Sequence, residues 1–338
     1  MTTATARQRN LARAVTSAPE WLPHCFDESG SMLSFYWVPV DERRRLPFLR
    51  PDWFGDECQC TSVPVDDLAA ELAGTPAVPL HFIFHTAFCG STLLLNALDA
   101  LDGCAGLKEP SVFTNLAHRL NCGENFARTG RLELVLRLLS HPLDQRRTIV
   151  AKPACFATPL MPAIMQSTPS ARAVLLFSDV RTFLLSVAKR GHSGQAWGRQ
   201  AFIRGLRDGA VRFRYTVAEL LEQTDLRAAG LAWLMRVHDL RRMAAEFGPD
   251  RAMLLNVADF LGSPRETLGK VADFLQIATD ETALSRVAES EVFSRHSKEG
   301  RGYCVDQRRA ELDAARSAHG EVEGVALWVE KVAVAHGL

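Results

Sequence analysis

Residues 81–98 read HFIFHTAFCGSTLLLNAL, which combines a short apolar run, a compact turn and a helix-like run. A turn in that position directs backbone N–H groups at one spot, and the dipole of the following helix adds partial positive charge there. The arrangement is typical of a loop that binds phosphate or a similar anion. An ordinary tight turn between a strand and a helix would have the same pattern. Six residues are predicted to form the loop: Ala87, Phe88, Cys89, Gly90, Ser91 and Thr92.

The loop departs from the ATP-binding pattern G-x-x-x-x-G-K-[ST]. His85 stands where the first glycine is required, and Ser91 follows Gly90 where a lysine is required. The turn itself contains no lysine or arginine. A generic ATP-hydrolysing protein is therefore disfavoured, and another side chain must supply any positive charge. A protonated His85 beside the loop is one candidate for that charge.

Short apolar runs alternate with helix-like segments from residue 78 onward. Four runs are predicted to be strands, at 78–84, 147–151, 171–177 and 252–257. Buried strands that alternate with helices predict an α/β fold with a central parallel sheet covered on both faces. In such sheets the functional site lies at the carboxyl ends of the strands.

The rest of the chain is predicted to decorate this sheet. Residues 1–75 mix tryptophan, proline and charge, and we expect an irregular N-terminal extension packed on the core. Within it, the alternating stretch at 32–38 is a candidate strand. Residues 76–338 are expected to form a P-loop domain of three layers. Within this domain, the arginine-rich region at about 195–247 has no strand pattern and predicts a helical insertion.

Composition limits the classes of partner. The chain has 338 residues, 47% of them apolar, and its 39 basic residues balance 39 acidic ones. A net charge of zero argues against a nucleic-acid partner. No stretch has the length and apolarity of a signal peptide or a membrane span, so we expect a cytoplasmic protein without a membrane partner. The eight cysteines lack paired zinc-binding spacing, and no metal site is predicted.

The loop and the segment after it resemble the sulfotransferase family. Gly90, Ser91 and Thr92 match the family's loop, [KR]-S-G-[ST]-[ST], whose basic position falls on Phe88. The following LKEPSVFTNL resembles the segment that carries a carboxylate base in the tyrosylprotein-type branch, and its carboxylate is Glu109. The resemblance is nearest to that branch and to bacterial sulfotransferases.

Two further motifs extend the resemblance. The family has a lysine after the next strand, which corresponds to Lys152 in TIVAKPACF. It also has an arginine and, eight residues later, a serine that binds the nucleotide 3′-phosphate. In AVLLFSDVRTFLLSVAKR the serine is Ser186, followed by Arg190, and the arginine position is Ser178. Arg181, three residues later, is a candidate substitute for that arginine.

The C-terminal third continues the pattern. The block LLNVADFLGSPRETLGKVADFLQI, preceded by Trp233, is similar to an architectural block of the family. The segment SRHSKEGRGY resembles the family's basic loop over the nucleotide, with Ser297, Lys298 and Arg301 as candidate phosphate contacts. The resemblance covers roughly residues 78–303, and the order and spacing of the motifs make it specific.

The resemblance implies transfer of a sulfuryl group from 3′-phosphoadenosine 5′-phosphosulfate (PAPS) to a hydroxyl or amine. This chemistry requires donors along the loop, a base for the acceptor and an anchor for the nucleotide, and it requires no metal. Glu109 is the predicted base. The predicted cation is Lys152 or Lys108, with His85 as the alternative.

The sequence also allows other roles for Glu109 and other functions for the protein. Glu109 precedes Pro110 at a predicted helix start, where a carboxylate could simply stabilise the N-terminus. A non-catalytic nucleotide-binding protein of the same fold, or a P-loop phosphoryl transferase, would share much of the pattern. Cys89 is better explained as a small loop-filling residue than as a nucleophile. The sequence predicts a small-molecule or peptide acceptor without identifying it, and leaves the oligomeric state open.

Overall fold

The computed structural model describes residues 3–55, 57–75, 77–140, 148–209, 213, 215–294, 310–311, 313–314 and 319–338. Within these ranges the strands are β1 (Trp21–Phe26), β2 (Met32–Trp37), β3 (Cys60–Pro64), β4 (Leu80–His85), β5 (Cys104–Lys108), β6 (Thr148–Lys152), β7 (Ala173–Phe177) and β8 (Ala252–Asn256).

The helices surround these strands. They are α1 (Thr3–Ser17), α2 (Val40–Arg45), α3 (Val65–Leu72), α4 (Ser91–Asp99), α5 (Ser111–Asn121), α6 (Phe126–Thr129), α7 (Arg131–Ser140), α8 (Met161–Ser167), α9 (Val180–Ala188), α10 (Gly191–Asp208), α11 (Val217–Leu221), α12 (Asp225–Phe247), α13 (Val257–Gly262), α14 (Pro264–Phe274), α15 (Glu281–Ala288), α16 (Glu291–Ser294) and a C-terminal helix (Glu321–His336). No helix among the described residues is long and apolar enough to cross a membrane.

The central sheet is parallel, with strand order β5-β6-β4-β7-β8. The predicted α/β fold with a central parallel sheet is therefore confirmed. The four predicted strands correspond to β4, β6, β7 and β8, whereas β5 was not among them. β5 lies at the sheet edge, is short and contains Gly106, so its apolar pattern is weak.

Helices cover both faces of this sheet. Side chains alternate along each strand, so each strand contributes residues to the cores on both faces. Phe82 and Phe84 of β4 enter one hydrophobic core, and Ile83 between them enters the core on the opposite face. The glycine in β5 allows α4 to approach closely: a Cβ on Gly106 would lie 3.1 Å from Leu95 Cγ of that helix. The amide of Gly106 also donates to Asp99 Oδ1 at 2.8 Å. These contacts hold α4 and the preceding loop against β5.

The N-terminal region is more regular than the irregular extension that the sequence predicts. β1, β2 and β3 form an antiparallel sheet. Its buried residues Leu33, Phe35 and Val63 belong to the same hydrophobic core as Phe82 of the parallel sheet. β2 coincides with the alternating stretch at 32–38 that is a candidate strand in the sequence, whereas β1 and β3 were not predicted. The region predicted to be a helical insertion contains α10, α11 and α12.

Candidate functional site

The loop between β4 and α4 has an unusual backbone. Ala87 and Phe88 both have positive φ, at 69° and 51°, and Gly90 follows at 73°. Two consecutive non-glycine residues in the left-handed region are energetically unfavourable, and such strain persists only where the surrounding packing imposes it. The resulting turn brings successive backbone N–H groups toward one concave spot, which favours an anion.

The loop has donors available for that anion. Within the described residues, the backbone N–H groups of Phe88, Cys89 and Gly90 make no hydrogen bond. Ser91 and Thr92 begin α4 and are buried, so their hydroxyls lie at the positive end of the helix dipole. This donor set fits the phosphate and sulfuryl oxygens of a nucleotide of the PAPS type.

Both ring nitrogens of His85 contact backbone atoms at the loop and beside it. Its Nδ1 accepts a hydrogen bond from the Ala87 N–H at 3.1 Å, and its Nε2 lies 3.2 Å from the carbonyl oxygen of Pro153. An acceptor at Nδ1 and a donor at Nε2 define a neutral imidazole. In this geometry His85 positions the loop, and protonation at Nδ1 would break the bond to Ala87. The arrangement gives no support to His85 as the missing cation.

Glu109 and Lys152 meet at the carboxyl ends of neighbouring strands. Lys108 pairs with Lys152 in the register of β5 and β6, and the Glu109 N–H donates to the Lys152 carbonyl at 2.8 Å. Lys152 Nζ lies 2.6 Å from Glu109 Oε1, with Lys152 fully buried and the Glu109 side chain 13% exposed. The predicted base and the predicted cation are therefore in direct contact.

Glu109 has a partner other than the N-terminus of α5. Pro110 is the N-cap of that helix, and its own side chain makes no capping hydrogen bond. Glu109 has a φ of 52°, so the chain turns sharply after β5 and directs the carboxylate to Lys152. Backbone strain of this kind often marks functional sites.

Lys108, the alternative cation, is oriented elsewhere. Its Nζ donates to the Arg44 carbonyl oxygen at 2.7 Å, and only 2% of the residue is exposed. Burial, more than any nearby charge, lowers the pKa of Lys108 to about 8. Lys108 therefore links β5 to the end of α2, and Lys152 remains the cation beside Glu109.

Cys89 has the properties of a loop-filling residue. It is fully buried, and its Sγ donates to the Leu176 carbonyl oxygen at 3.6 Å. Burial raises the pKa of the Cys89 thiol, although the nearby charge of Lys152 acts in the opposite direction. A thiol with a raised pKa is a poor nucleophile at neutral pH.

Phe88 carries a stacked cation. Its ring packs against Trp197 and Phe183, at centroid distances of 4.7 and 5.8 Å. The guanidinium carbon of Arg190 lies 4.4 Å from the centroid of Phe88. Arg190 Nη1 also donates to the Ser186 carbonyl oxygen at 2.8 Å. Arg190 is thus brought beside the loop, whereas the hydroxyl of Ser186 donates to the Thr182 carbonyl oxygen at 2.9 Å.

Arg181 is not brought to the loop. Its guanidinium forms ion pairs with Glu323 and Glu330 of the C-terminal helix, at 3.0 and 2.5 Å. Arg181 lies in the first turn of α9, whereas Arg190 follows the end of that helix and precedes α10. The prediction of Arg181 as a nucleotide contact therefore lacks support. The position of the family's arginine is taken by Ser178, whose buried Oγ has no hydrogen-bond partner among the described residues.

The predicted basic loop cannot be placed. Ser297, Lys298 and Arg301 lie outside the described residues.

Sequence inspection missed two residues beside Glu109 and Lys152. The Phe48 ring centroid lies 5.8 Å from Lys152 Nζ and 5.1 Å from the guanidinium carbon of Arg50. Both residues belong to the N-terminal region, and no motif connects them to residues that follow about a hundred positions later. The only signal was the arginine- and proline-rich composition of the segment.

Solved structures similar to this chain include sulfotransferases. The sulfotransferase STF9 from Mycobacterium avium is 12% identical, with 74% of this chain and 79% of that chain covered and a TM-score of 0.42. The sulfotransferase domain of the Synechococcus PCC 7002 olefin synthase is 16% identical, with 75% and 94% covered and a TM-score of 0.40. Mouse sulfotransferase SULT7A1, complexed with PAP, is 11% identical, with 79% and 93% covered and a TM-score of 0.39.

These structures belong to the family that the sequence motifs resemble. At such identities and TM-scores the similarity concerns the course of the chain, and no conclusion about activity rests on it. No protein-family model matches the chain, and no curated protein matches it in sequence.

Proposed function

We propose that this protein transfers a sulfuryl group from PAPS to a hydroxyl group of an acceptor. The observation that carries the proposal is the contact of Lys152 Nζ with Glu109 Oε1, at 2.6 Å, beside a loop with unpaired backbone N–H groups. A base, a cation and an anion-binding loop at the carboxyl edge of a parallel sheet are the groups that this reaction requires.

Residues of this chain would hold the donor at two places. The N–H groups of Phe88 to Gly90 and the hydroxyls of Ser91 and Thr92 would bind the phosphosulfate. Ser186 and Arg190 would bind the 3′-phosphate, since Arg190 is held beside the loop by its stacking on Phe88. When bound, the donor supplies an SO₃ group joined to phosphate through an anhydride oxygen.

Glu109 accepts the proton of the acceptor hydroxyl while the hydroxyl oxygen bonds to sulfur. The bond between sulfur and the anhydride oxygen breaks, and its electron pair remains on that oxygen. Lys152 stabilises the negative charge that develops there and on the transferred group. For this step Lys152 must turn from Glu109 toward the donor, which also frees the carboxylate to act as a base.

Calorimetry with 3′-phosphoadenosine 5′-phosphate (PAP) tests the nucleotide assignment, because saturable binding is expected and absence of binding at millimolar concentration would sink it. Glu109→Gln tests catalysis. We expect a loss of turnover of about 10²-fold or more with little change in PAP affinity. Glu266→Gln, at an exposed carboxylate paired with Lys270, is the matched control and should keep full turnover.

The same ion pair also favours a second candidate, a non-catalytic nucleotide-binding protein. In that case Lys152 permanently neutralises Glu109, and the pair has only a structural role. The wild-type protein would then bind PAP but transfer no sulfuryl group to any acceptor, and Glu109→Gln would have no turnover to remove.

A further inference from the structure

The segment that contains Phe48 and Arg50 is attached to the chain around Glu109. The Leu49 N–H donates to the Lys108 carbonyl at 2.6 Å, and the Ser111 N–H donates to the Leu49 carbonyl at 3.2 Å. These two bonds flank Glu109 on either side, so the segment has a fixed position beside the carboxylate.

The side chains of this segment alternate. Leu49 is buried in the core, at 2% exposure, and in an extended chain its neighbours point to the opposite side. Arg50 has the extended backbone angles φ −134° and ψ 149°. Phe48 and Arg50 lie on the same side, as this alternation requires, because the guanidinium carbon of Arg50 is 5.1 Å from the ring centroid of Phe48. Lys152 Nζ lies 5.8 Å from the same centroid.

Among the described residues, the guanidinium of Arg50 has only one distant ion pair, and the Arg50 side chain is 38% exposed. Its Nε is buried and has no hydrogen-bond partner among them. The nearest carboxylate oxygen recorded for it is Asp52 Oδ2, 3.9 Å from Nη2, on a side chain that is 78% exposed. A buried N–H donor of a charged group is unfavourable without an acceptor, and an anion that binds the accessible guanidinium would supply one.

We propose that Arg50 recognises the acceptor. Resting on the proposed sulfuryl transfer, the acceptor is a hydroxyl-bearing small molecule that also carries a carboxylate or a phosphate. Its hydroxyl lies at Glu109, its anionic group binds Arg50, and the ring of Phe48 forms the wall between the two. A guanidinium suits this role because its planar fork matches both kinds of anion.

The test compares matched pairs of probes that differ in one anionic group. The pairs are 4-hydroxybenzoate with 4-hydroxybenzyl alcohol, and glucose 6-phosphate with glucose. Binding is measured by ligand-observed NMR in the presence of PAP, which would occupy the phosphate loop. In at least one pair, we expect the anionic probe to bind about tenfold more tightly than the neutral probe.

The variants locate this preference. Arg50→Gln should abolish it, and Arg50→Lys should retain part of it because the charge remains. Arg45→Gln, at an exposed arginine of α2, is the matched control and should leave the preference unchanged. Thermal unfolding of each variant verifies that it is folded.

Equal affinity for the anionic and neutral probes in both pairs would overturn the proposal, as would a preference that persists in Arg50→Gln. A preference lost equally in Arg45→Gln would also overturn it, since general surface charge would explain it. PAP binding without an anion preference would refute the role of Arg50 alone. An anion preference without PAP binding would refute the PAPS assignment instead.

Discussion

The guanidinium carbon of Arg190 lies 4.4 Å from the ring centroid of Phe88, the residue in the loop position where the sulfotransferase pattern has a lysine or arginine. A second cation, besides Lys152, is therefore present beside the loop; it lies between α9 and α10 and is oriented by an aromatic ring. Stacking on an aromatic face holds a guanidinium in place while its N–H groups remain able to bind phosphate. This relationship leads to the first prediction.

Arg190→Gln should weaken PAP binding by roughly 10- to 100-fold, because a charge-assisted contact with a phosphate is lost. Arg204→Gln is the matched control, since Arg204 is stacked in the same way on Phe156, at 4.1 Å from its centroid. We expect the control to retain PAP affinity within about twofold, as measured by calorimetry. Equal losses in the two variants would remove the assignment of Arg190 as a phosphate contact.

Phe88→Ala should release Arg190 from its stacked position. Because the guanidinium loses about 0.5–2 kcal/mol of cation–π stabilisation, PAP binding should weaken by several-fold without loss of the charge. Comparison of PAP affinity in Phe88→Ala, Arg190→Gln and the double variant measures the coupling. If the effects of the two substitutions on binding free energy simply add, Phe88 does not position Arg190.

The Lys152–Glu109 pair should make a coupled contribution to stability. Glu109→Gln leaves a fully buried ammonium without its counter-charge, so we expect a loss of about 2–4 kcal/mol in the free energy of unfolding. Lys152→Met together with Glu109→Gln should recover at least half of that loss, because no buried charge remains. Urea unfolding of the two single variants and the double variant measures the coupling energy. Additive losses would mean that the ion pair does not form in solution.

Lys108 should make stability depend on pH in the alkaline range. Burial lowers its pKa from 10.5 to about 8 in the folded protein. Between these values the unfolded chain retains the proton that the folded chain has lost, so this contribution to stability rises as pH increases from 8 to 10.5.

Lys108→Met removes the titrating group that causes this rise. The difference in unfolding free energy between the wild type and Lys108→Met should therefore change by about 1–3 kcal/mol in favour of the wild type over that range. Lys331→Met, at an exposed lysine of the C-terminal helix, should show no such trend. A flat difference for Lys108→Met, measured by urea unfolding across the range, would show that its pKa is not lowered by burial.

Arg181→Ala should leave PAP affinity unchanged within about twofold. Its partners Glu323 and Glu330 are on the C-terminal helix, and all three side chains are partly exposed. Solvent screening therefore limits the loss of stability to about 1 kcal/mol. A large loss of PAP affinity in this variant would show that Arg181 does contribute to nucleotide binding.

The sequence by itself determined the parallel sheet, the loop before α4 and the strand end that bears Lys152. Local signals suffice for these features, because buried apolar strands alternate with helices and sites lie at strand ends. Glu109 was identified through the resemblance of its segment to a known family. The edge strand β5 was not predicted, because it has only five residues and one of them is a glycine.

Only the tertiary structure decided which of these residues act together. The contact of Lys152 with Glu109 depends on the pairing of β5 with β6, and their register cannot be read from either strand alone. The ion pairs of Arg181 with the C-terminal helix and the stacking of Arg190 on Phe88 separate two arginines that the sequence offered as nucleotide contacts for different reasons. Arg50 reaches the site because backbone hydrogen bonds join its segment to residues on either side of Glu109. Such long-range contacts depend on packing and hydrogen bonding between distant segments, for which the local sequence carries no periodic signal.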